Sequence, residues 1–189
     1  MKNMLSSRLL LASLSAVYLA LLAPVLTDAN LYSNEHPTHS DITNANIRRA
    51  VIEYVEDQNY ATLKYGVIED WDTAGVTDMS FLFFYGRCPE NEFQEACVNS
   101  LKSFDADISS WDTSGVTSMD SMFFNCENFN RDVAHWNVRN VKNIDRMFYN
   151  ARAFNANVGR WDVSSVTQMD HTFKGAEAFS HDLTHWNIG

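Results

Sequence analysis

Basic side chains are scarce in this chain: 14 Lys and Arg stand against 24 Asp and Glu, a formal net charge of −10. Nucleic-acid binding through phosphates needs clustered cations, so no nucleic-acid partner is expected. The same balance works against attraction to an anionic membrane surface. No Asn-x-Ser/Thr acceptor occurs, so N-glycosylation is not expected. There is no G-x-S-x-G, no glycine-rich phosphate cradle and no zinc-ligand spacing. The chain therefore reads as a non-enzyme with no cofactor and no metal. Cysteine is sparse as well, with three in 189 residues.

What is present begins at the N-terminus. Lys2 and Arg8 precede an apolar run from Leu9 to Ala23, which Pro24 ends. Thr27 and Ala29 are the small residues that a signal peptidase prefers before its cleavage point, placing cleavage after Ala29, with Ala23 as second choice. Residues 1–29 thus read as a secretory signal. The alternative is an uncleaved anchor, although the run is short for a span of about 20 residues. A secreted or cell-surface protein is expected, with membrane association only if this segment is retained. Export permits disulfides, and Cys88 and Cys97 are a candidate pair.

Tryptophan recurs every 25 residues, at Trp111, Trp136, Trp161 and Trp186. Phe104, Phe129, Phe154 and Phe179 keep the same register, as do Ile108, Val133, Val158 and Leu183. A weaker copy surrounds Trp71, separated from the next by an insertion at about 85–99 that holds both Cys88 and Cys97. Such a period predicts a solenoid. Ile108-x-x-Trp111-x-Thr113 has the spacing of a leucine-rich-repeat strand. Met119, Met122, Phe123 and Cys126 have the spacing of one helix face. Each coil is therefore expected to be a short strand, a turn and a short helix, an α/β class. Cys126 aligns with Ala151 and Ala176, which predicts a buried structural thiol.

Solenoid ends need caps. Ile47, Ala50, Val51, Tyr54 and Val55 predict an amphipathic capping helix from about Thr43 to Asp57, within a cap spanning 41–60. Residues 30–40 read as a linker and 61–189 as the array.

Phe104-Asp105-x-Asp107-Ile108-x-x-Trp111-Asp112, followed by Val116-Thr117-x-Met119-x-x-Met122-Phe123, resembles the repeat of BspA-type leucine-rich-repeat surface proteins. The copy from Phe154 to Met169 does so too, and the resemblance covers about residues 41–189. It implies a cell-surface solenoid acting in binding or adhesion, and it brings no catalytic residues.

Candidate sites follow from the register. Ser110, His135, Arg160 and His185 share one variable position and form a candidate contact face for an unknown surface protein or glycan. The Trp column, Trp71 included, is expected to be core rather than a ligand platform. Asp and Asn ladders at positions 105, 107 and 112 and their equivalents suit either calcium or backbone capping, and their interchange favours capping. The late histidines, among them His171 and His181, lack a metal-ligand spacing. A monomer is expected. An exported adhesion module is the leading reading, a structural surface or wall component the alternative, and a hydrolase the third.

Overall fold

The computed structural model describes residues 40–86 and 99–188. The signal segment, most of the linker, and Cys88 and Cys97 lie outside the described residues. Helix α1 covers Ile47–Glu56, with Ile47, Ala50 and Val51 buried and Tyr54 and Val55 packed at the margin of the core. Asp57, in extended backbone, ends it. The Asp57 carboxylate accepts the Tyr60 N–H at 3.0 Å and so starts a second helix, α2, Gln58–Tyr65. Ala61 and Tyr65 of α2 are buried, and Gly66 closes the helix at φ 83°. Glu53 ties the two helices together, receiving Arg49 Nε at 2.9 Å and Lys64 Nζ at 2.9 Å.

Beyond α2 the described residues hold no α-helix and no β-strand, only 3₁₀ turns at Ile68–Asp70 and Asn99–Ser103. This overturns the expected α/β solenoid of leucine-rich-repeat type. The run read as a strand is bent: the Trp111 N–H folds back to the Ile108 carbonyl at 3.2 Å. Parallel pairing is confined to single bridges joining Asp78 to Ser118, Ser118 to Asn143 and Asn143 to Gln168. A strand needs several consecutive ladder bonds.

The segment read as a helix fails for a different reason. An α-helix requires negative φ throughout and bonds to the carbonyl four residues back. Ser121 has φ 53° and Asn125 has φ 59°. Three N–H groups close tight turns, Met122 to Met119 O, Phe124 to Ser121 O and Cys126 to Phe123 O. The intervening ones leave the segment, Ser121 to Asp145 O, Phe123 to Met147 O and Asn125 to Tyr149 O, each at 2.8 Å. Arg146 and Asn150 repeat the positive φ, and so do His171 and Gly175. Successive tight turns bury Met119, Met122, Phe123 and Cys126 together without a helix. The sequence period thus survives as contacts between turn-built layers, not as a strand–helix unit.

Aromatic rings hold these layers together. Phe83, Phe123, Phe148 and Phe173 stack in one column with centroids 5.1, 5.5 and 5.6 Å apart. Phe104, Phe129, Phe154 and Phe179 form a second column with spacings of 6.1, 6.1 and 5.9 Å. Rings of the two columns meet at 4.1, 3.9, 3.8 and 4.2 Å within each layer. Each fully buried Phe contributes on the order of 2–3 kcal/mol of burial, so the columns are a substantial part of the packing energy.

Candidate functional site at the edge of the last layer

The alternation of turn bonds and layer bonds gives the layers a polarity. At Met119, Ser121, Phe123 and Asn125 the N–H groups point to the following layer, where they meet the carbonyls of Asn143, Asp145, Met147 and Tyr149. The next layer repeats this: Ile144, Arg146, Phe148 and Asn150 donate to Gln168, Asp170, Thr172 and Lys174. Along this segment one side of each layer presents donors and the other acceptors, while Thr117, Lys142, Thr167, Ala153 and Ala178 donate the opposite way, to the preceding layer.

The cap side chains bond both kinds of group on the first layer, two N–H donors and one carbonyl. Asn44 Oδ1 accepts the Thr77 N–H at 2.9 Å and the Asp78 N–H at 3.2 Å, and Arg48 donates to the Ser80 carbonyl. Burial lowers the pKa of the Arg48 guanidinium, and the attraction of neighbouring Asp78 offsets that only in part.

On the donor side of the last described layer no further layer follows among the described residues. Among the described residues, the N–H groups of Met169, His171, Phe173 and Gly175 meet no acceptor. The Thr167 carbonyl lacks the donor that Thr117 O and Lys142 O receive from Lys142 and Thr167. The Leu183 carbonyl lacks an indole donor, whereas Ile108 O, Val133 O and Val158 O receive Trp136, Trp161 and Trp186 Nε1 at 3.2, 3.1 and 3.0 Å. Beside this edge lies a cleft of about 360 Å³ lined by Met169, Phe173, Leu183, Trp186 and Ile188. Ile188 is 61% exposed. The asparagine pair Asn125–Asn150, joined at 2.9 Å, ends at Gly175, whose φ is 78°. A Cβ there would overlap Asn150 Oδ1, so glycine leaves the last edge flat.

The residues singled out in the sequence fall elsewhere. Ser110, His135, Arg160 and His185 are all exposed. Ser110 Oγ donates to the Glu69 carbonyl, and no hydrogen bond or ion pair joins these four residues to one another. Trp71, Trp111, Trp136 and Trp161 are buried, while Trp186 is half-buried at the open end. Cys126 is a free, fully buried thiol that donates to the Phe83 carbonyl at 2.8 Å, and burial raises its pKa well above the ordinary thiol value. It is no nucleophile in this setting. No disulfide occurs among the described residues, and the Cys88–Cys97 pair lies outside them.

The Asp and Asn ladders bond to backbone. Asp107, Asp112, Asp132, Asp162 and Asp182 each accept the N–H two residues on, at 2.8–3.2 Å. Asp105, Asn130 and Asn155 instead accept N–H groups of the following layer, from Asn130, Asn155 and Ser180. His181 Nε2 donates to the Asn155 carbonyl at 2.8 Å, and His171 lines the rim of the open edge. No group of three or more His, Cys, Asp or Glu able to hold a metal forms among the described residues.

A family described as Mycoplasma protein of unknown function, DUF285, matches residues 42–96 and 55–186. The chain belongs to this family. No curated protein and no solved structure matches it. The DUF285 match replaces the BspA-type leucine-rich-repeat resemblance, because the strand that such a repeat requires is absent from the described layers. The adhesion function was read from that solenoid and falls with it. For this DUF285 chain, the edge amides of the last layer and the capping pair Asn44 and Arg48 are the features that sequence reasoning missed. The one signal was Asn125, Asn150 and Gly175 in register, all residues that tolerate positive φ.

Proposed function

We propose that this chain is a non-enzymatic protein that works outside the cytoplasm by pairing its main chain with a protein partner at the open edge of the last layer. The observation that carries this reading is the row of unpaired N–H groups at Met169, His171, Phe173 and Gly175 beside an apolar cleft. Unpaired edges of this kind are templates for main-chain pairing. Export rests on Lys2, Arg8 and the apolar run from Leu9 to Ala23. Among the described residues no helix is long and apolar enough to cross a membrane. The absence of catalysis rests on the use of side chains: the ladder carboxylates cap turns and the Cys126 thiol is sealed in the core.

The test is site-specific photo-crosslinking in intact producing cells. A benzophenone amino acid replaces Ile188, at the open edge, or Leu63, which is 82% exposed on α2. A discrete protein adduct from position 188 alone, degraded by protease added outside the cells, is the expected result. Adducts of equal yield from both positions, none from 188, or adducts shielded from external protease would overturn the reading.

A further inference from the structure

Three successive layers occupy residues 104–128, 129–153 and 154–178, and their aromatic columns do not tell them apart. Phe123, Phe148 and Phe173 stand at one position, Phe104, Phe129 and Phe154 at a second, and Trp111, Trp136 and Trp161 at a third. Ring stacking alone thus permits any of these layers to meet any other. Their charges differ. Residues 104–128 hold five Asp and Glu and no Lys or Arg. Residues 129–153 hold five Lys and Arg against two Asp, and residues 154–178 hold two basic side chains against three acidic ones.

The middle layer directs its cations to both neighbours. Arg131 and Arg146 reach back to Asp105 and Asp120 of the layer before, at 2.9 and 3.9 Å. Arg139 and Arg152 reach forward to Asp162 and Glu177 of the layer after, at 3.4 and 3.6 Å. At the positions of these four arginines the layer before has Ala106, Ser114, Ser121 and Glu127, and the layer after has Ala156, Ser164, His171 and Glu177. The two neighbours are alike, and neither carries an arginine there. Stacked on each other they would lose all four ion pairs and set Glu127 against Glu177, in the register position where Arg152 now stands between them. Lys102, 3.3 Å from Glu127, carries the same alternation of sign one repeat earlier.

Each of these exposed pairs is weak by itself. Their combined effect lies in discrimination, four attractions in one arrangement against none in the other. Chain connectivity orders the layers within one finished molecule. It does not stop a layer from meeting that of another chain during folding, a characteristic misassembly of repeat proteins. We propose that the middle layer is a register key: its four arginines make it the one described layer that both neighbours accept, and so prevent those neighbours from pairing with each other. The wrong partner it refuses is a layer of the same chain out of order, or the matching layer of a second copy.

Refolding of the full chain from urea tests this, with the fraction of misassembled oligomer read by sedimentation. The key variant carries Arg131→Gln, Arg139→Gln, Arg146→Gln and Arg152→Gln. The control carries Lys142→Gln, Arg160→Gln and Lys174→Gln, three cations outside these ion pairs. At low salt the key variant is expected to leave at least about threefold more oligomer than the wild-type chain, and the control no more than the wild type. Wild-type chain refolded at about 0.5 M salt, where exposed charges are screened, is expected to approach the key variant. The single variant Arg152→Glu places three glutamates in one register position by changing one exposed side chain. It is expected to raise the oligomer as well, and it carries the test if the fourfold variant does not fold. Equal oligomer from the wild type and Arg152→Glu would overturn the proposal. An equal rise in the control and the key variant would also overturn it, because the effect would then be one of net charge rather than of register.

Discussion

Asn44 Oδ1 holds the Thr77 N–H at 2.9 Å, taking the place that the Thr77 carbonyl takes for Thr117 one layer on, at 2.8 Å. A single side chain thus imitates a missing layer. Asn44→Ala leaves the Thr77 and Asp78 N–H groups without this acceptor. The expected cost is about 1–2 kcal/mol in urea denaturation. Asn44→Asp, which keeps the acceptor oxygen but loses the 2.8 Å bond from Nδ2 to Thr77 Oγ1, should cost less.

Arg146 discriminates turns from helix. It has φ 51° and an exposed side chain. In a helix, Arg146→Gly would be about 1 kcal/mol less stable than Arg146→Ala. In the left-handed conformation glycine carries no Cβ penalty, which is roughly 1–2 kcal/mol for other residues. The Gly variant is therefore expected to be at least as stable as the Ala variant by thermal denaturation.

Acid should loosen the turns. Hydroxyl and backbone donors of Ser109, Ser114 and Ser164 lower the pKa values of Asp107, Asp112 and Asp162, and the Thr184 N–H and hydroxyl lower that of Asp182. A carboxylate depressed in the folded state adds stability that is fully present above its unfolded value of about 3.9 and is lost as pH falls through the folded value. The melting temperature should hold between about pH 7 and pH 5 and drop below about pH 4. The double variant Asp162→Asn/Asp182→Asn should show a smaller drop. Asparagine accepts the same N–H without titrating, as Asn137 does from Arg139 at 3.2 Å.

Cys126 should be silent to thiol reagents in the native protein and reactive after unfolding, since burial both hides it and raises its pKa. Ala151 fills the same place one layer on. Cys126→Ala is accordingly expected to cost only about 1 kcal/mol, the value of its bond to the Phe83 carbonyl.

The core was legible in the sequence and the backbone was not. The register of Phe104, Ile108, Val116, Met119, Met122 and Phe123 identifies side chains that are all buried. Their spacing, however, is shared by a helix face and by tight turns whose alternate bonds leave the segment. What separates the two is the sign of φ at Ser121, Arg146 and His171, and none of these residues is a glycine that would announce it. The donor edge was hidden for the same reason, because the direction of an N–H depends on φ and ψ rather than on side-chain pattern. The cap was partly legible: the face of α1 follows its apolar period, whereas the polar contacts of Asn44 and Arg48 reach 33 and 32 residues along the chain.

Amide hydrogen exchange on the full chain tests the central claim most directly. Turn-built layers with one-sided donors predict slow exchange at Ser121, Phe123 and Asn125, which bond to the next layer, and fast exchange at their counterparts His171, Phe173 and Gly175, which do not. Equal protection at both sets would mean that the bonds close within each segment, as in a helix, and would contradict both the layer polarity and the open edge.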